Sequence, residues 1–258
     1  MKIAISGKGG SGKSTIAANL LHCLMRNNVP TFAVDADPDA NLGLVLGLGQ
    51  EELAALPPLC DLQEVIIEKN AGGGAFVDLN PSIDDVLEEY VLPLGSIRFL
   101  KMGGIKQGGT ACYCKESAFL NAVLTNVLLE RPEAVVLDMS AGIEHLTRGT
   151  ARGIRMMLVV VEPSRAAVTT ALAVDRLAAD LALPEVLFVG NKVRSEADQS
   201  YLRQSLPGER ILAMLPFSEE VLERARLGGR PEKEDRYLLP GIEELYKQIG
   251  GGDQQAYA

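Results

Sequence analysis

The chain has 258 residues, 47% of them hydrophobic and 23% charged, with a formal net charge of −9. That is enough apolar material for one large or two small domains, and the acidic balance argues against broad nucleic-acid binding, which needs clustered Lys and Arg against phosphates. No apolar run reaches the ~18 residues of a membrane-spanning helix, and Met1-Lys2-Ile3-Ala4-Ile5-Ser6 is strand-like from the start, so the sequence predicts no signal peptide and a cytoplasmic protein that binds neither nucleic acid nor membrane.

In chain order, Lys2–Ser6 reads as a first strand and Lys13–Asn27 as a helix with Ile16, Leu20, Leu21 and Leu24 on one side. Thr31–Asp35 is a second strand. The pattern then weakens over residues 43–110, with helix-like pieces, a Gly72-Gly73-Gly74 loop and two possible strands, Ala75–Leu79 and Ile97–Met102. A helix near Glu116–Leu129 and the strand Ala134–Asp138 restore the order. Met156–Val161, Val186–Gly190 and Arg210–Leu215 are further short apolar strands, with helical patterns near Arg165–Leu181 and Ala197–Leu206 between them. Continuous apolar strands separated by helices predict a parallel sheet buried on both faces. The fold expected is therefore α/β: a doubly wound, mainly parallel sheet with helices on both faces, of the P-loop NTPase kind. It forms one domain over residues 1–250. Residues of about 43–115 are expected to be an insertion over the carboxyl edge of the sheet, where such folds bind ligands. Residues 251–258 are expected to be a disordered tail.

Gly7-Lys8-Gly9-Gly10-Ser11-Gly12-Lys13-Ser14 matches G-x-x-x-x-G-K-[ST] between a strand and a helix. Gly9, Gly10, Ser11, Gly12, Lys13, Ser14 and Thr15 are thus candidate nucleotide ligands, because glycines let backbone N–H groups turn toward a phosphate and the helix N-terminus adds its positive dipole end. Lys13 is expected to reach the β- and γ-phosphates and Ser14 to ligate Mg²⁺. Two strands end in acids on the ligand side: Asp35-Ala36-Asp37-Pro38-Asp39 after the second strand, and Val135-Val136-Leu137-Asp138, a Walker B pattern in which Asp138 assists Mg²⁺. Met139-Ser140-Ala141-Gly142 follows, and residues 138–150 read as a switch that responds to a γ-phosphate. No Asp stands two residues after Lys192, so the guanine-specific pattern is absent and ATP/ADP are the expected nucleotides.

The second lysine, Lys8, makes the loop resemble the deviant Walker A family, which includes the nitrogenase iron protein and MinD-type and ParA-type ATPases. The resemblance implies a homodimer in which Lys8 reaches across to the partner's ATP. It also implies that Asp37, the acid before Pro38, positions the attacking water. In related nucleotide-binding proteins an Asn in the place of Asn191 bonds the base, which makes Asn191 a candidate adenine contact. The catalytic set is then Lys8, Lys13 and Asp37.

Cys112-Tyr113-Cys114 is the segment most informative about specific function. Two thiolates fill half of a tetrahedral site, and a two-fold dimer would bring two such pairs together. Four sulfurs in a tetrahedron suit Zn²⁺, and in a square plane Ni²⁺. The loop, the Asp35–Asp39 run, this pair and the stretch Ala141-Gly142-Ile143-Glu144-His145-Leu146-Thr147-Arg148-Gly149-Thr150-Ala151 together resemble the CooC-type ATPases. That family inserts nickel into enzymes such as carbon monoxide dehydrogenase. By this resemblance the chain is an ATP hydrolase coupling its cycle to nickel delivery, with carbon monoxide dehydrogenase or acetyl-CoA synthase as client. His145 reads as either a metal ligand or a switch residue, the switch role being favoured. Two other readings stand beside it. An electron-donating reductase like the iron protein needs a cluster for which Cys60 is the one additional thiol with any standing. A positioning ATPase of the MinD or ParA type needs a basic face or a terminal amphipathic helix, which the acidic balance and polar tail oppose.

Overall fold

The computed structural model describes residues 1–62, 87, 89–103, 120–143, 146–227 and 239–251. The possible strand Ala75–Leu79, the Gly72–Gly74 loop, the start of the helix near Glu116, Cys112, Cys114, His145 and the tail from residue 252 lie outside them.

Among the described residues one eight-stranded sheet organises the chain. Its strands are β1 (Lys2–Gly7), β2 (Thr31–Ala36), β3 (Leu92–Leu94), β4 (Ile97–Lys101), β5 (Ala134–Met139), β6 (Met156–Val161), β7 (Val186–Val193) and β8 (Ile211–Pro216), in the order β3-β4-β2-β5-β1-β6-β7-β8. All pairings are parallel except the β3–β4 edge hairpin. β1, flanked by β5 and β6, is the place where the strand order reverses, so its carboxyl end opens into the ligand crevice.

Helices among the described residues include α1 (Lys13–Arg26), α2 (Leu42–Val45), α3 (Gln50–Ala55), α4 (Arg148–Ala151), α5 (Arg165–Asp180), α6 (Glu196–Ser205), α7 (Glu219–Leu227) and α8 (Ile242–Gln248). They form two covering layers, and alternation along each strand feeds both. Ile3 and Ile5 of β1 pack with Ile16, Leu20 and Leu24 of α1 and Leu245 of α8. Ala4 faces the other layer, with Val123 and Val127, and Ala171 and Val174 of α5. Strands β2, β5 and β6 are buried at every position, which explains their unbroken apolar runs. Ser164 and Ser195 start α5 and α6 by accepting from the N–H groups of Ala167 and Asp198, both at 3.2 Å.

The expected fold class is present, with additions. The sequence reading had no β3, whose three residues include Pro93; an edge strand tolerates the missing N–H. It also lacked α7 and α8. The latter carries Ile242, Leu245 and Tyr246 at helical spacing, with Ile249 as its C-cap, and is buried against α1. The helix expected to end at Leu129 runs from residue 120 into a π-helical turn, Asn126–Glu130. Lys2 Nζ donates to the Arg131 carbonyl at 2.7 Å there, tying this end to β1.

Candidate functional site: a phosphate loop with buried carboxylates

β1 delivers the chain into the loop through Gly7, whose φ is 146° and where a Cβ would lie 2.3 Å from the Val160 carbonyl of β6. Any side chain there would push two central strands apart. Gly12 is the N-cap of α1 at φ 97°, and a Cβ on it would stand 2.3 Å from Asn191 Nδ2. No side chain caps α1, so its first N–H groups remain available to an anion. Gly9 and Gly10 are exposed at the turn. Ser11 is buried, with its N–H on the Lys8 carbonyl at 3.0 Å and its Oγ without a hydrogen-bond partner. The Thr15 carbonyl accepts from Asn19, whose own carbonyl oxygen accepts from Leu239 N at 2.7 Å, so α1 is braced against the segment leading into α8.

Four acids stand around this loop, two at strand positions and two just past the end of β2. Lys13, 6% exposed, lies 3.5 Å from Asp37 Oδ2. Asp39 is exposed, and its N–H donates to Asp37 Oδ1 at 3.1 Å, holding that carboxylate at the loop mouth. Asp35 and Asp138 are register partners on β2 and β5, both fully buried. Burial first, and the neighbouring Asp138 second, push the Asp35 carboxyl up to about 7; the N–H groups of Leu42 and Asp37 pull the other way. Burial likewise pushes Asp138 up to about 6, offset by the Ser14 hydroxyl and the Lys13 ammonium. Ser14 stands near enough to favour the ionised form of Asp138, yet neither Asp138 oxygen has a partner in full hydrogen-bond geometry. Asp35 Oδ1 is also unpartnered. Orphaned carboxylate oxygens beside a serine hydroxyl suit a hard divalent cation that prefers oxygen ligands and water. The residues therefore fit Mg²⁺ as the group accompanying a nucleotide.

This arrangement has a measurable cost. A carboxyl whose folded pKa is raised stabilises the fold fully below its unfolded value, and that contribution is lost as pH rises through the folded value. For Asp35 the window runs from the ordinary 3.8 to about 7. In protein stripped of nucleotide and Mg²⁺, Asp35→Asn should stabilise the fold at about pH 8 by on the order of 2–4 kcal/mol. The gain should shrink steadily toward about pH 4.5. Chemical unfolding of both proteins in EDTA across that range measures it. Equal stability at the alkaline end would show that Asp35 carries no such strain.

Lys8 pairs within its own chain, 3.8 Å from Glu162 Oε1 at the end of β6, and Ser164 Oγ donates to the same oxygen at 3.3 Å. Ser6 Oγ donates to the Ser140 carbonyl at 2.9 Å, joining β1 to the expected switch, which continues through the Thr147-capped α4. Asn191 is 4% exposed, and its amide nitrogen donates to the Ser11 carbonyl at 2.8 Å. Lys192 Nζ donates to the Gly10 carbonyl at 2.5 Å. Of the candidate residues, Lys8 to Thr15, Asp37, Asp138 and Asn191 thus meet at one end of the sheet. Cys112 and Cys114 lie outside the described residues. Sequence reasoning missed Glu162 and gave Lys192 no role. Glu162 was legible by the rule that singled out Asp138, an acid ending an apolar strand. Lys192 carried no pattern of its own.

The CobQ/CobB/MinD/ParA nucleotide binding domain matches residues 2–229. The carbon monoxide dehydrogenase accessory protein CooC of Rhodospirillum rubrum is 35% identical over 224 residues, covering 86% of this chain and 85% of that protein. An uncharacterised ATP-binding protein of Methanocaldococcus jannaschii is 35% identical over 256 residues, 96% of this chain and 97% of the relative. The septum site-determining protein MinD of Pyrococcus horikoshii, solved with Mg-ADP, superposes with a TM-score of 0.64 at 21% identity, covering 100% of this chain and 99% of that one, and so shares the fold. With a nucleotide-binding domain matched from β1 through α7 and a phosphate loop built on its central strand, this chain belongs to the CobQ/CobB/MinD/ParA family of P-loop ATPases.

Proposed function

We propose that the chain is a homodimeric ATPase that couples ATP binding and hydrolysis to the delivery of Ni²⁺ into a nickel–iron–sulfur enzyme, with carbon monoxide dehydrogenase as the client. The observation that carries this reading is the 35% identity to the carbon monoxide dehydrogenase accessory protein over 86% of the chain. The phosphate site supplies the chemistry. N–H groups of the loop and of the first turn of α1, from Gly12 to Thr15, cradle the phosphates and Lys13 offsets the charge that grows on the transferred group. Ser14 and Asp138 would hold Mg²⁺, which when bound neutralises charge on the β- and γ-oxygens. Asp37, at the loop mouth, orients the water that attacks the γ-phosphorus, in line with the departing ADP. Lys8 leaves Glu162 and turns to the nucleotide of a second copy, so ATP becomes part of the dimer interface. Asn191 is a candidate adenine contact by its likeness to the Asn that bonds the base in related nucleotide-binding proteins.

The cargo site in this reading is Cys112 and Cys114 from each subunit, giving four thiolates for Ni²⁺ or Zn²⁺. Equilibrium dialysis with both metals on the Cys112→Ser, Cys114→Ser double variant tests it, beside an ATPase assay. The expected result is loss of binding near one metal per dimer and failure to activate the client, with basal hydrolysis within about twofold of the parent, since neither thiol belongs to the phosphate site. Metal binding as tight as the parent's would remove the shared-thiolate site. A second reading, an ATP-dependent positioning protein, draws on the likeness to MinD, which at 21% identity concerns the fold alone. ATP-dependent co-sedimentation with anionic vesicles would favour it.

A further inference from the structure

We infer that Asn191 and Lys192 are positioning residues for the phosphate loop: Asn191 holds the Ser11 carbonyl so that the Gly12 N–H stays turned toward the anion site, and Lys192 holds the Gly10 carbonyl and with it the turn that carries the cradle. The inference goes beyond the metal-delivery reading and does not depend on the cargo or the client.

Successive residues of a strand point to opposite faces, so two neighbours should not both reach one loop. Here they do, because the strand is irregular where they stand. The β7–β8 register shifts between Gly190 and Val193, and Lys192 has a φ of 59°, a left-handed conformation uncommon outside glycine. That local break turns both side chains onto adjacent carbonyls: Asn191 Nδ2 to Ser11 at 2.8 Å, and Lys192 Nζ to Gly10 at 2.5 Å. A peptide group whose carbonyl is pinned on one side presents its N–H on the other. The Ser11 carbonyl shares its peptide group with the Gly12 N–H, so Asn191 orients a donor of the anion cradle; the Gly10 carbonyl shares its peptide group with the Ser11 N–H, which is bonded to the Lys8 carbonyl at 3.0 Å, so Lys192 fixes the turn that carries the cradle. The contact with Gly12 works in the same direction. A Cβ at Gly12 would meet Asn191 Nδ2 at 2.3 Å, so Asn191 fills the space behind the loop rather than an open pocket. Its amide nitrogen is already committed, and the side chain is 4% exposed.

The test separates a loop-holding role from base recognition by changing the ligand. ATP and GTP share the triphosphate and differ in the base; inorganic tripolyphosphate has no base. If Asn191 and Lys192 hold the loop, Asn191→Ala and Lys192→Met should each lower kcat/KM for ATP and for GTP by the same factor, roughly tenfold. Inhibition by tripolyphosphate should weaken by that factor too. The ATP-to-GTP preference should stay at the parent's value, and Lys192→Arg, which keeps a donor and the charge, should recover most of the loss. A change in ATP-to-GTP preference with tripolyphosphate inhibition at the parental level would overturn the assignment of Asn191 and return it to the base. Parental values throughout for Lys192→Met would overturn the assignment of Lys192. Lys192 sits at an exposed contact, so its variant keeps the test decisive should the buried Asn191 variant fail to fold.

Discussion

Lys13→Ala should lower kcat/KM for ATP hydrolysis by about 10²–10³-fold. Lys13 is the first residue of α1, in a loop that begins at Gly7 between two central strands. The residue is 6% exposed, so its charge is poorly screened by water. A fixed positive charge at that depth stabilises charge developing on a transferring phosphoryl group without any reorganisation when the reaction occurs. The same charge is what Asp37 and Asp138 lean on, since Lys13 lies 3.5 Å from one and helps to lower the pKa of the other. Removing it should therefore also weaken Mg-ATP binding, because the remaining carboxylates repel the phosphates. Steady-state kinetics together with calorimetric Mg-ATP binding measure both effects. A variant that turns over within a few-fold of the parent would remove Lys13 from the phosphate site.

Asp37→Asn should separate binding from hydrolysis. The amide keeps the size of the carboxylate, and its oxygen can still accept the Asp39 N–H that now holds Asp37 Oδ1 at 3.1 Å. It cannot act as a carboxylate toward the attacking water, and the expected loss in kcat is about 10²–10⁴-fold. ATP affinity should hold or improve, because Asp37 competes with phosphate for Lys13. With hydrolysis blocked, a dimer closed over ATP should accumulate. Single-turnover hydrolysis and sedimentation with ATP report the two halves. Hydrolysis at the parental rate with normal binding would move the water-orienting role to another residue, and Asp35, buried behind the loop at β2, would be the wrong place to look because its carboxyl does not reach solvent.

Much of this protein was legible in its sequence because the signals are local. The phosphate loop is a run of neighbouring residues whose glycines, lysine and serine have fixed tasks within one turn, and the apolar runs Ala134–Asp138 and Met156–Val161 had to be strands buried on both faces. The acids at strand ends followed from the same logic, since the carboxyl edge of a parallel sheet is where its ligand binds. What the tertiary structure decided is which of these groups meet, and at what cost. Asp35 and Asp138 are about a hundred residues apart in sequence but become lateral neighbours because β5 inserts between β1 and β2. Burial from both layers, joined at Asp35 by the neighbouring Asp138, pushes the two carboxyls up to about 7 and about 6. Likewise the sequence marks Asn191 as a candidate base contact and gives Lys192 no role, and only a register shift in β7 turns both onto a loop 180 or more residues earlier. Long-range pairing, strand irregularity and desolvation are properties of the assembled sheet, and no window of sequence contains them.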